Sequence, residues 1–392
     1  MELFRSWCCL LVSEPIFLDH HSTTPVDPRV LDAMLPFFSE RFGNAASINH
    51  AYGTDAADAV ARARAEVATL IGADEREIVF TSGATEADNL ALKGVLRAAG
   101  GSAHLLTAAA EHPAVLDPAK RLRRWGFDVT ILPVDEHGRV SPEQVTDALK
   151  PTTALVSLMW ANNEVGTWNP IPEIATICRN RGIPFHTDAA QAAGWLPVDV
   201  AAAGVDLLSL SAHKIYGPKG VGALYVRRGG PRIPVEPLID GGGHERRLRS
   251  GTLPVPLIVG FGEACRLVRE QRDDDGRRVR ALREELWAGL CELDGVHLNG
   301  HPADRLPNNL NVSFEGVDGE ALMTGLTRIA VSSGSACTSA DPEPSHVLRA
   351  MGRSDQLTRA SLRFGLGRET TPGDVDTAIA EVTQVVRRLR QE

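Results

Sequence analysis

Lysine is scarce in this chain of 392 residues, where arginine supplies nearly all of the positive charge. Only five of the 41 basic residues are lysines. They are Lys93, Lys120, Lys150, Lys214 and Lys219. Composition bias explains the scarcity at most of these positions, but a primary amine can do chemistry that a guanidinium cannot. A lysine retained in such a chain can therefore mark a site where an amine reacts.

Paired cysteines and long apolar runs are also missing. The six cysteines are scattered and none forms a Cys-x-x-Cys pair, which argues against a structural metal and a disulfide framework. They fit a reducing compartment, so we expect a cytoplasmic protein. No stretch approaches the ~18 apolar residues of a membrane span. The net charge of −9 argues against nucleic acid or an anionic membrane as the main partner.

From about residue 55, helical and strand-like segments alternate. Apolar or β-branched runs predict strands at 77–80, 103–107, 129–133, 154–159, 183–187, 206–210 and 222–226. Helical patterns separate most of them, at 56–71, 86–99, 114–125, 141–149 and 171–181. This alternation is typical of a doubly wound α/β domain with a largely parallel sheet covered on both faces.

The pattern changes at 229–256, where glycine and proline clusters predict a long functional loop. After it come one or two charged helices at 257–293, strands at 309–314, 330–332 and 361–364, and a final helix at 373–390. These elements predict a smaller α+β domain. We expect a poorly ordered leader at 1–15, a large domain at 16–262 and a small domain at 263–392, with residues 16–23 free to pack on the small one.

Lys214 follows the strand-like run Val205–Leu210, with a hydroxyl and an imidazole beside it in Ser211-Ala212-His213-Lys214. A lysine in such surroundings can form a Schiff base if burial or neighbouring cations lower its pKa. Asp188 ends another strand-like run, where it is either an ordinary helix N-cap or the partner of a protonated pyridine nitrogen. The second role is the one that a pyridoxal phosphate cofactor requires.

A third segment, Thr81-Ser82-Gly83-Ala84-Thr85, joins a strand to a helix through small residues. The free N–H groups of a helix N-terminus and the Thr85 hydroxyl are a suitable phosphate site, although capping alone also explains Thr85. This turn, Lys214 and Asp188 all fall at the carboxyl ends of predicted strands. Ligands of open α/β sheets bind at that edge, so the three signals support one site.

Cys337 lies in the second domain within Val331-Ser332-Ser333-Gly334-Ser335-Ala336-Cys337-Thr338. Small residues on both sides predict an accessible loop, which suits a nucleophile that must move. A spare loop thiol explains the same pattern. Cys265, in contrast, lies in an apolar helical run and reads as a buried structural cysteine.

Taken together, these segments resemble the cysteine desulfurases of the NifS/IscS group, which are fold-type I pyridoxal phosphate enzymes of the class V aminotransferase superfamily. The similarity runs from Phe17 to about Leu389. It is carried by LDHHSTTPVDPRV from Leu18, EIVFTSGATEADNLALKG from Glu77, EHPAVLD from Glu111, ANNEVGT from Ala161, SAHKIYGPKGVGALYVRR from Ser211, RSGTLPVP from Arg249 and VSSGSACTSADPEPSHVLRAMG from Val331. The resemblance implies a seven-stranded, mostly parallel sheet in the large domain and a catalytic cysteine on a long loop of the small one.

The resemblance also implies roles for the reacting residues. Lys214 would form the Schiff base and carry the Cα proton, and His112 would stack on the cofactor ring and assist proton transfer. Cys337 would be the nucleophile, with a further role as a transient iron–sulfur ligand left open. No other metal ligand is expected.

For the residues that bind the cofactor and the substrate, the resemblance implies the following contacts. Asp188 would pair with the pyridine nitrogen and Gln191 with the phenolic oxygen. Asn163 would lie beside that oxygen and the substrate carboxylate, which Arg363 would bind. The phosphate would be held by Ala84, Thr85, Ser211, His213 and, from the neighbouring subunit, Thr252.

The implied function is conversion of L-cysteine to L-alanine, with the sulfur left on Cys337 as a persulfide for an acceptor protein. The implied partners are a second copy of the chain and an acceptor such as an iron–sulfur scaffold or a thiolation enzyme. Delivery to tRNA thiolation or DNA phosphorothioation remains an alternative, as does a selenocysteine lyase. A non-catalytic protein of this fold would be expected to lack Lys214 or Cys337, and both are present.

Overall fold

The computed structural model describes residues 14–333 and 344–391. Cys337 and residues 1–13 of the expected leader lie outside the described residues. The strands are β1 Ile16–Phe17, β2 Ile78–Thr81, β3 His104–Ala108, β4 Asp128–Leu132, β5 Thr153–Ser157, β6 Phe185–Asp188, β7 Leu207–Ser211, β8 Gly222–Val226, β9 Val296–Asn299, β10 Asn309–Phe314, β11 Ile329–Ala330, β12 Ser332–Ser333 and β13 Ser361–Gly365.

Helices connect most of these strands. They are α1 Pro28–Met34, α2 Pro36–Ser39, α3 Ala51–Leu70, α4 Ala84–Ala99, α5 Pro113–Arg124, α6 Pro142–Ala148, α7 Ile171–Asn180, α8 Val200–Ala203, α9 Val255–Leu290, α10 Gly319–Gly325, α11 His346–Ala350, α12 Asp355–Arg359 and α13 Pro372–Leu389. No helix in the described part of the chain is long and apolar enough to span a membrane.

The large sheet has seven strands in the order β2-β8-β7-β6-β5-β3-β4. Only β8 runs antiparallel to its neighbours β2 and β7, and the other pairs are parallel. Helices α4 and α5 pack on one face and α3, α7 and α9 on the other, each over its own apolar core. The prediction of a doubly wound, mostly parallel sheet is confirmed, because strands buried on both faces read as continuous apolar runs.

A second sheet, in the order β12-β13-β10-β9, is antiparallel and packs on its own apolar core with α13 and the end of α9. The short strand β1 pairs in parallel with β11, and Leu18 is buried in the second core. Segment 16–18 therefore contacts the second core rather than the large sheet.

Helix α9 links the two cores. It is one continuous helix of 36 residues, about 54 Å long at 1.5 Å per residue, where the sequence left one or two helices open. Its first half packs with Phe261 and Cys265 in the large core, and its second half with Leu282 and Leu286 in the small one. The expected domain boundary at 262 falls inside this helix.

Candidate active site

A cavity of about 510 Å³ opens where β2, β6 and β7 end. It lies at the carboxyl edge of the parallel strands, where the sequence placed the site. Its wall brings together ten of the predicted site residues: Ala84, Thr85, His112, Asn163, Asp188, Gln191, Ser211, His213, Lys214 and Arg363. Thr252 is exposed and lies outside this wall, and Cys337 falls outside the described residues.

Lys214 is held at the cavity by the backbone of a segment distant in sequence. It ends the short 3₁₀ turn Ala212–Lys214, which follows directly from β7. Its Nζ donates to the carbonyl oxygens of His21 at 2.5 Å and Ser22 at 2.7 Å. These two neutral acceptors fix the position of the amine at the cavity.

Asp188 lies at the end of β6 and is buried at the cavity wall. Its Oδ1 accepts from the Ala190 N–H at 2.9 Å. Burial raises the pKa of Asp188, while the Ala190 N–H, His112 and Lys214 act in the opposite direction. The Asp188 carboxylate is therefore poorly solvated and can form an ion pair with a cationic group bound in the cavity.

His112 stands at the start of α5, on the same cavity wall. Its Nδ1 accepts from the Ala114 N–H at 3.1 Å, so it caps the helix. Burial lowers the pKa of His112, and the opposing charge of Asp188 offsets part of that effect. The ring is therefore held neutral, with its Nδ1 occupied by the helix cap.

The first turn of α4 also lines the cavity. Gly83 precedes it with φ of 151°, and the Cβ of any residue at Gly222 would lie 2.7 Å from the Gly83 Cα. Ala84 and Thr85 are the first residues of α4 and line the cavity, so the N-terminus of this helix lies at the cavity wall. Such a terminus favours an anion, and Ser211 and His213 line the same cavity.

His21 lies at the cavity wall, although its position in the sequence predicted no role for it. It forms a reciprocal pair with Gln191: its Nδ1 lies 2.9 Å from Gln191 Oε1, and the Gln191 amide donates to the His21 carbonyl at 2.9 Å. Burial, with Arg363 and Lys214, lowers the pKa of His21 to about 3. The only signal in the sequence was its place in the segment LDHHSTTP.

Arg363 reaches the cavity from β13, in the second sheet. It is 2% exposed; one guanidinium nitrogen donates to Asp19 Oδ1 at 2.8 Å and another to the Asn163 carbonyl at 3.1 Å. Residues from both cores therefore line the cavity, and the second core contributes the Arg363 guanidinium. A guanidinium in this place suits a carboxylate ligand.

The wall also carries polar atoms that lack partners within the described chain. Asn163 Oδ1 and His21 Nε2 are buried without a hydrogen bond. The cavity thus combines an amine, a carboxylate, a helix N-terminus that favours an anion, and polar atoms without partners. This combination suits a polar heterocycle that carries a phosphate. Residues 14–333 and 344–391 contain no cluster of three or more His, Cys, Asp or Glu side chains that could hold a metal ion.

Comparison with known proteins agrees with this chemistry. Residues 16–377 match the family described as Aminotransferase class-V. The chain is 57% identical over 380 residues to "Cysteine desulfurase IscS" of Anaeromyxobacter dehalogenans (strain 2CP-C), covering 96% of this chain and 94% of the relative. It is 53% identical over 382 residues to "Cysteine desulfurase, mitochondrial" of Arthroderma benhamiae (strain ATCC MYA-4681 / CBS 112371), covering 97% and 76%.

Two solved structures extend the comparison to three dimensions. A "NIFS-LIKE PROTEIN" superposes with a TM-score of 0.89 at 37% identity, covering 96% of this chain and 100% of its own. "SspA in complex with cysteine" superposes with a TM-score of 0.80 at 37% identity, covering 91% and 100%.

Proposed function

The chain belongs to the class V aminotransferase family and has the activity of a cysteine desulfurase, and we propose that it works with pyridoxal 5′-phosphate held in the cavity described above. One observation carries the proposal. The cavity places the Lys214 amine, the Asp188 carboxylate and the first turn of α4 on one wall.

Each part of the cofactor has a matching group in this wall. Lys214 provides the amine for the carbonyl carbon, and Asp188 the anion for the ring nitrogen. Six further residues line the same cavity. Ala84, Thr85, Ser211 and His213 would hold the phosphate, and Gln191 and Asn163 would bind polar substituents of the ring. The bound cofactor withdraws electrons from the Cα of the substrate.

The chain's own residues then orient the substrate and move its protons. Arg363 binds the carboxylate of L-cysteine, with Asp19 and the Asn163 carbonyl fixing the guanidinium. Lys214 takes and returns the proton at Cα, and the neutral His112 assists. The thiolate of Cys337 attacks the substrate sulfur and an S–S bond forms. The Cβ–S bond breaks, its electron pair stays with the carbon skeleton, and Cβ takes up a proton to become the methyl group of alanine. L-Alanine leaves, and Cys337 keeps the sulfur as a persulfide.

Incubation with L-cysteine tests this activity. We expect alanine from the wild type, and sulfide when a reductant is present. Cys337→Ala should lose both, whereas Cys291→Ala should retain them because Cys291 is exposed and does not line the cavity. Full sulfide release by Cys337→Ala would contradict the persulfide step. Equal or faster turnover of selenocysteine would instead favour a lyase.

We also propose that the working enzyme is a homodimer in which Thr252 completes the phosphate site of the partner subunit. The exposure of Thr252 away from its own cavity wall supports this arrangement. Lys214→Ala and Thr252→Ala should each be impaired alone. In a mixed dimer, the site that keeps Lys214 receives an intact Thr252 from the other subunit, so mixing should restore activity. Failure of mixed dimers to recover activity would refute the shared site.

The sulfur acceptor is proposed to be an iron–sulfur scaffold protein, in the cytoplasm. The high identity to relatives named cysteine desulfurase IscS supports the first point, and the scattered thiols of the chain support the second. Enzyme loaded with ³⁵S-cysteine should pass label to a scaffold protein in preference to a tRNA-thiolation or DNA-phosphorothioation protein. The reverse preference would overturn the assignment. Cell fractionation tests the location.

A further inference from the structure

A buried chain of polar side chains runs beneath Asp188. Alternation along β6 places His186 on the same face of the sheet as Asp188. The strand register pairs His186 with Ser157 of β5 and Asp188 with Ser209 of β7. These four polar residues therefore form one patch on the face that α4 covers.

Hydrogen bonds connect the patch through the imidazole. His186 Nδ1 lies 2.8 Å from Ser157 Oγ, and its Nε2 lies 3.0 Å from Ser209 Oγ. Burial lowers the pKa of His186 to about 3, so the ring is neutral and carries one proton. Because the ring carries a single proton, one of its nitrogens donates a hydrogen bond and the other accepts one. The position of that proton therefore sets the donor and acceptor at every step of this hydrogen-bonded series.

Asp88 lies at the end of this hydrogen-bonded series of side chains. It is on α4, one turn after Thr85, and its Oδ1 is 3.6 Å from His186 Nε2 with both side chains fully buried. Ser209 offers it a hydroxyl, yet neither carboxyl oxygen makes a hydrogen bond of ordinary geometry to the residues that the structure describes. A fully buried anion in this position would lack a cation to balance it, which is costly.

The negative charges around Asp88 also favour its protonated form. Burial raises the pKa of Asp88, and the carboxyls of Asp188 on β6 and Glu111 in the turn after β3 raise it further, while Ser209 lowers it. His186 on β6 is neutral and supplies no compensating charge.

Lys214 and the His112 imidazole face Asp188 rather than Asp88. His112 and Lys214 both lower the pKa of Asp188. Of the two carboxyls, Asp188 is therefore the one that ionises more readily, and Asp88 is the one that keeps a proton.

We propose that Asp88 is a positioning residue that stays protonated in the working enzyme, ties the first turns of α4 to β6 and β7, and leaves Asp188 as the anion facing the cofactor. The proposal rests on the proposed cofactor for its functional meaning. With Asp88 protonated, its hydroxyl donates toward Ser209, Ser209 donates to His186 Nε2, and the proton of His186 is on Nδ1 and points to Ser157.

Infrared spectroscopy tests the protonation of Asp88 directly. At neutral pH the wild-type holoenzyme should show the carbonyl stretch of a protonated buried carboxylic acid, and Asp88→Asn should lose part of that band. Glu111→Gln assigns the share that belongs to Glu111. Asp117→Asn is the matched control, since Asp117 is an exposed carboxylate paired with Lys120 and should leave the band unchanged. A band equal in Asp88→Asn and wild type would overturn the proposal.

The tautomer of His186 provides a second readout of the same proton. In protein labelled with ¹⁵N-histidine, His186→Gln assigns the ring signals, and we expect the Nδ1–H form at neutral pH. The Nε2–H form would mean that the chain points toward an ionised Asp88, which contradicts the proposal.

Cofactor binding tests the positioning role. Asp88→Leu removes the hydrogen-bonding end and should weaken the binding of pyridoxal phosphate about tenfold, while Asp88→Asn should restore most of it. The pH midpoint of the cofactor absorbance should be the same in Asp88→Asn and wild type, because no charge is removed. A midpoint lowered by about one pH unit in Asp88→Asn would show that an anion had been removed, and wild-type affinity in a folded Asp88→Leu would refute the positioning role.

These readouts separate the two proposals. If the protein does not take up the cofactor at all, the proposed function fails, and the infrared band and the His186 tautomer still report whether Asp88 carries a proton. If cofactor uptake and desulfurase activity are normal but the band and the tautomer do not respond, only the role of Asp88 is wrong.

Discussion

At the scale of single residues, the site depends on chemistry that the charge alone does not provide. Lys214 and Arg363 are both cations at one cavity, but they are held differently. Lys214 is bound by two neutral carbonyls, whereas Arg363 is fixed by the Asp19 carboxylate. The first arrangement leaves an amine able to react, and the second leaves a rigid guanidinium able to bind.

Replacing Lys214 by arginine should therefore abolish turnover although the positive charge remains. A guanidinium cannot form the Schiff base, so we expect alanine production from L-cysteine to fall by at least ~10³-fold. Absorbance of the bound cofactor should also lose its Schiff-base band. Lys120→Arg is the matched control, because Lys120 lies on the surface with Asp117 and should behave as wild type. Substantial activity in Lys214→Arg would show that another amine does this chemistry.

At the scale of secondary-structure elements, close backbone packing fixes the turn that precedes α4 at the cavity. Gly222 on β8 lies against the turn before α4, and a Cβ there would come within 2.4 Å of the Leu210 carbonyl oxygen. The contact is between backbones, so neither strand can move aside cheaply.

We expect Gly222→Ala to lower the free energy of unfolding by about 2 kcal/mol and to weaken binding of pyridoxal phosphate, because the turn before α4 must shift. Urea denaturation and cofactor titration measure the two effects. Gly276→Ala provides the control: Gly276 is inside α9 with no atom near the position of an added Cβ, so helix propensity should make that change slightly stabilising. Equal stability of the two variants would contradict the packing argument.

In segment 245–247, an ion pair stabilises a strained backbone conformation. Glu245, Arg246 and Arg247 have φ of 47°, 57° and 67°, a region that costs non-glycine residues of the order of 1 kcal/mol each. Glu245 is buried and opposes this cost. Its Oε1 accepts from Arg64 at 2.6 Å and its Oε2 from the Phe80 N–H at 2.7 Å.

Glu245→Gln should release this segment. Loss of a buried charge leaves Arg64 unpaired, so we expect the free energy of unfolding to fall by about 2 kcal/mol or more. Trypsin should then cut near Arg246 and Arg247 faster than in the wild type. Glu236→Gln, which breaks the half-exposed pair with Arg97, should leave the cleavage rate unchanged. An unchanged rate in Glu245→Gln would rule out the ion pair as the restraint.

The sequence predicted the elements whose pattern is local and missed those set by distant contacts. The strands of the large sheet are apolar runs and were placed within a few residues of their bounds. Strand β9, Val296–Asn299, was missed because its burial depends on pairing with β10. His21 and Asp88 were missed for a similar reason. His21 contacts Gln191, 170 positions away in sequence, and Asp88 on α4 contacts His186 of the strand β6 that α4 covers.

At the scale of the whole molecule, buried neutral histidines tie stability to pH. The pKa of His21 is about 3 in the folded state, against about 6.5 in an unfolded chain. Below pH 6.5 the unfolded chain takes up a proton that the folded one does not, so this residue's contribution to stability is lost as the pH falls.

Between pH 6.5 and 4.5 the wild type should lose about 2 kcal/mol more than His21→Gln, as measured by urea denaturation at each pH. His297→Gln is the control, since His297 is partly exposed and paired with Glu315. Parallel pH curves for wild type and His21→Gln would show that His21 is not held neutral. The raised pKa values of buried carboxyls act in the opposite direction, and they cancel in this comparison because both proteins keep them.

The pairing of segment 16–20 with the second core sets the order in which the protein can be completed during synthesis. The backbone of Ile16 pairs with Ile329, and Asp19 meets Arg363 across 344 positions of sequence. A ribosome releases the early segment long before it makes these partners, and contacts of such separation form late. The large sheet and the turn before α4 can therefore be assembled on a nascent chain to which Arg363 has not yet been added.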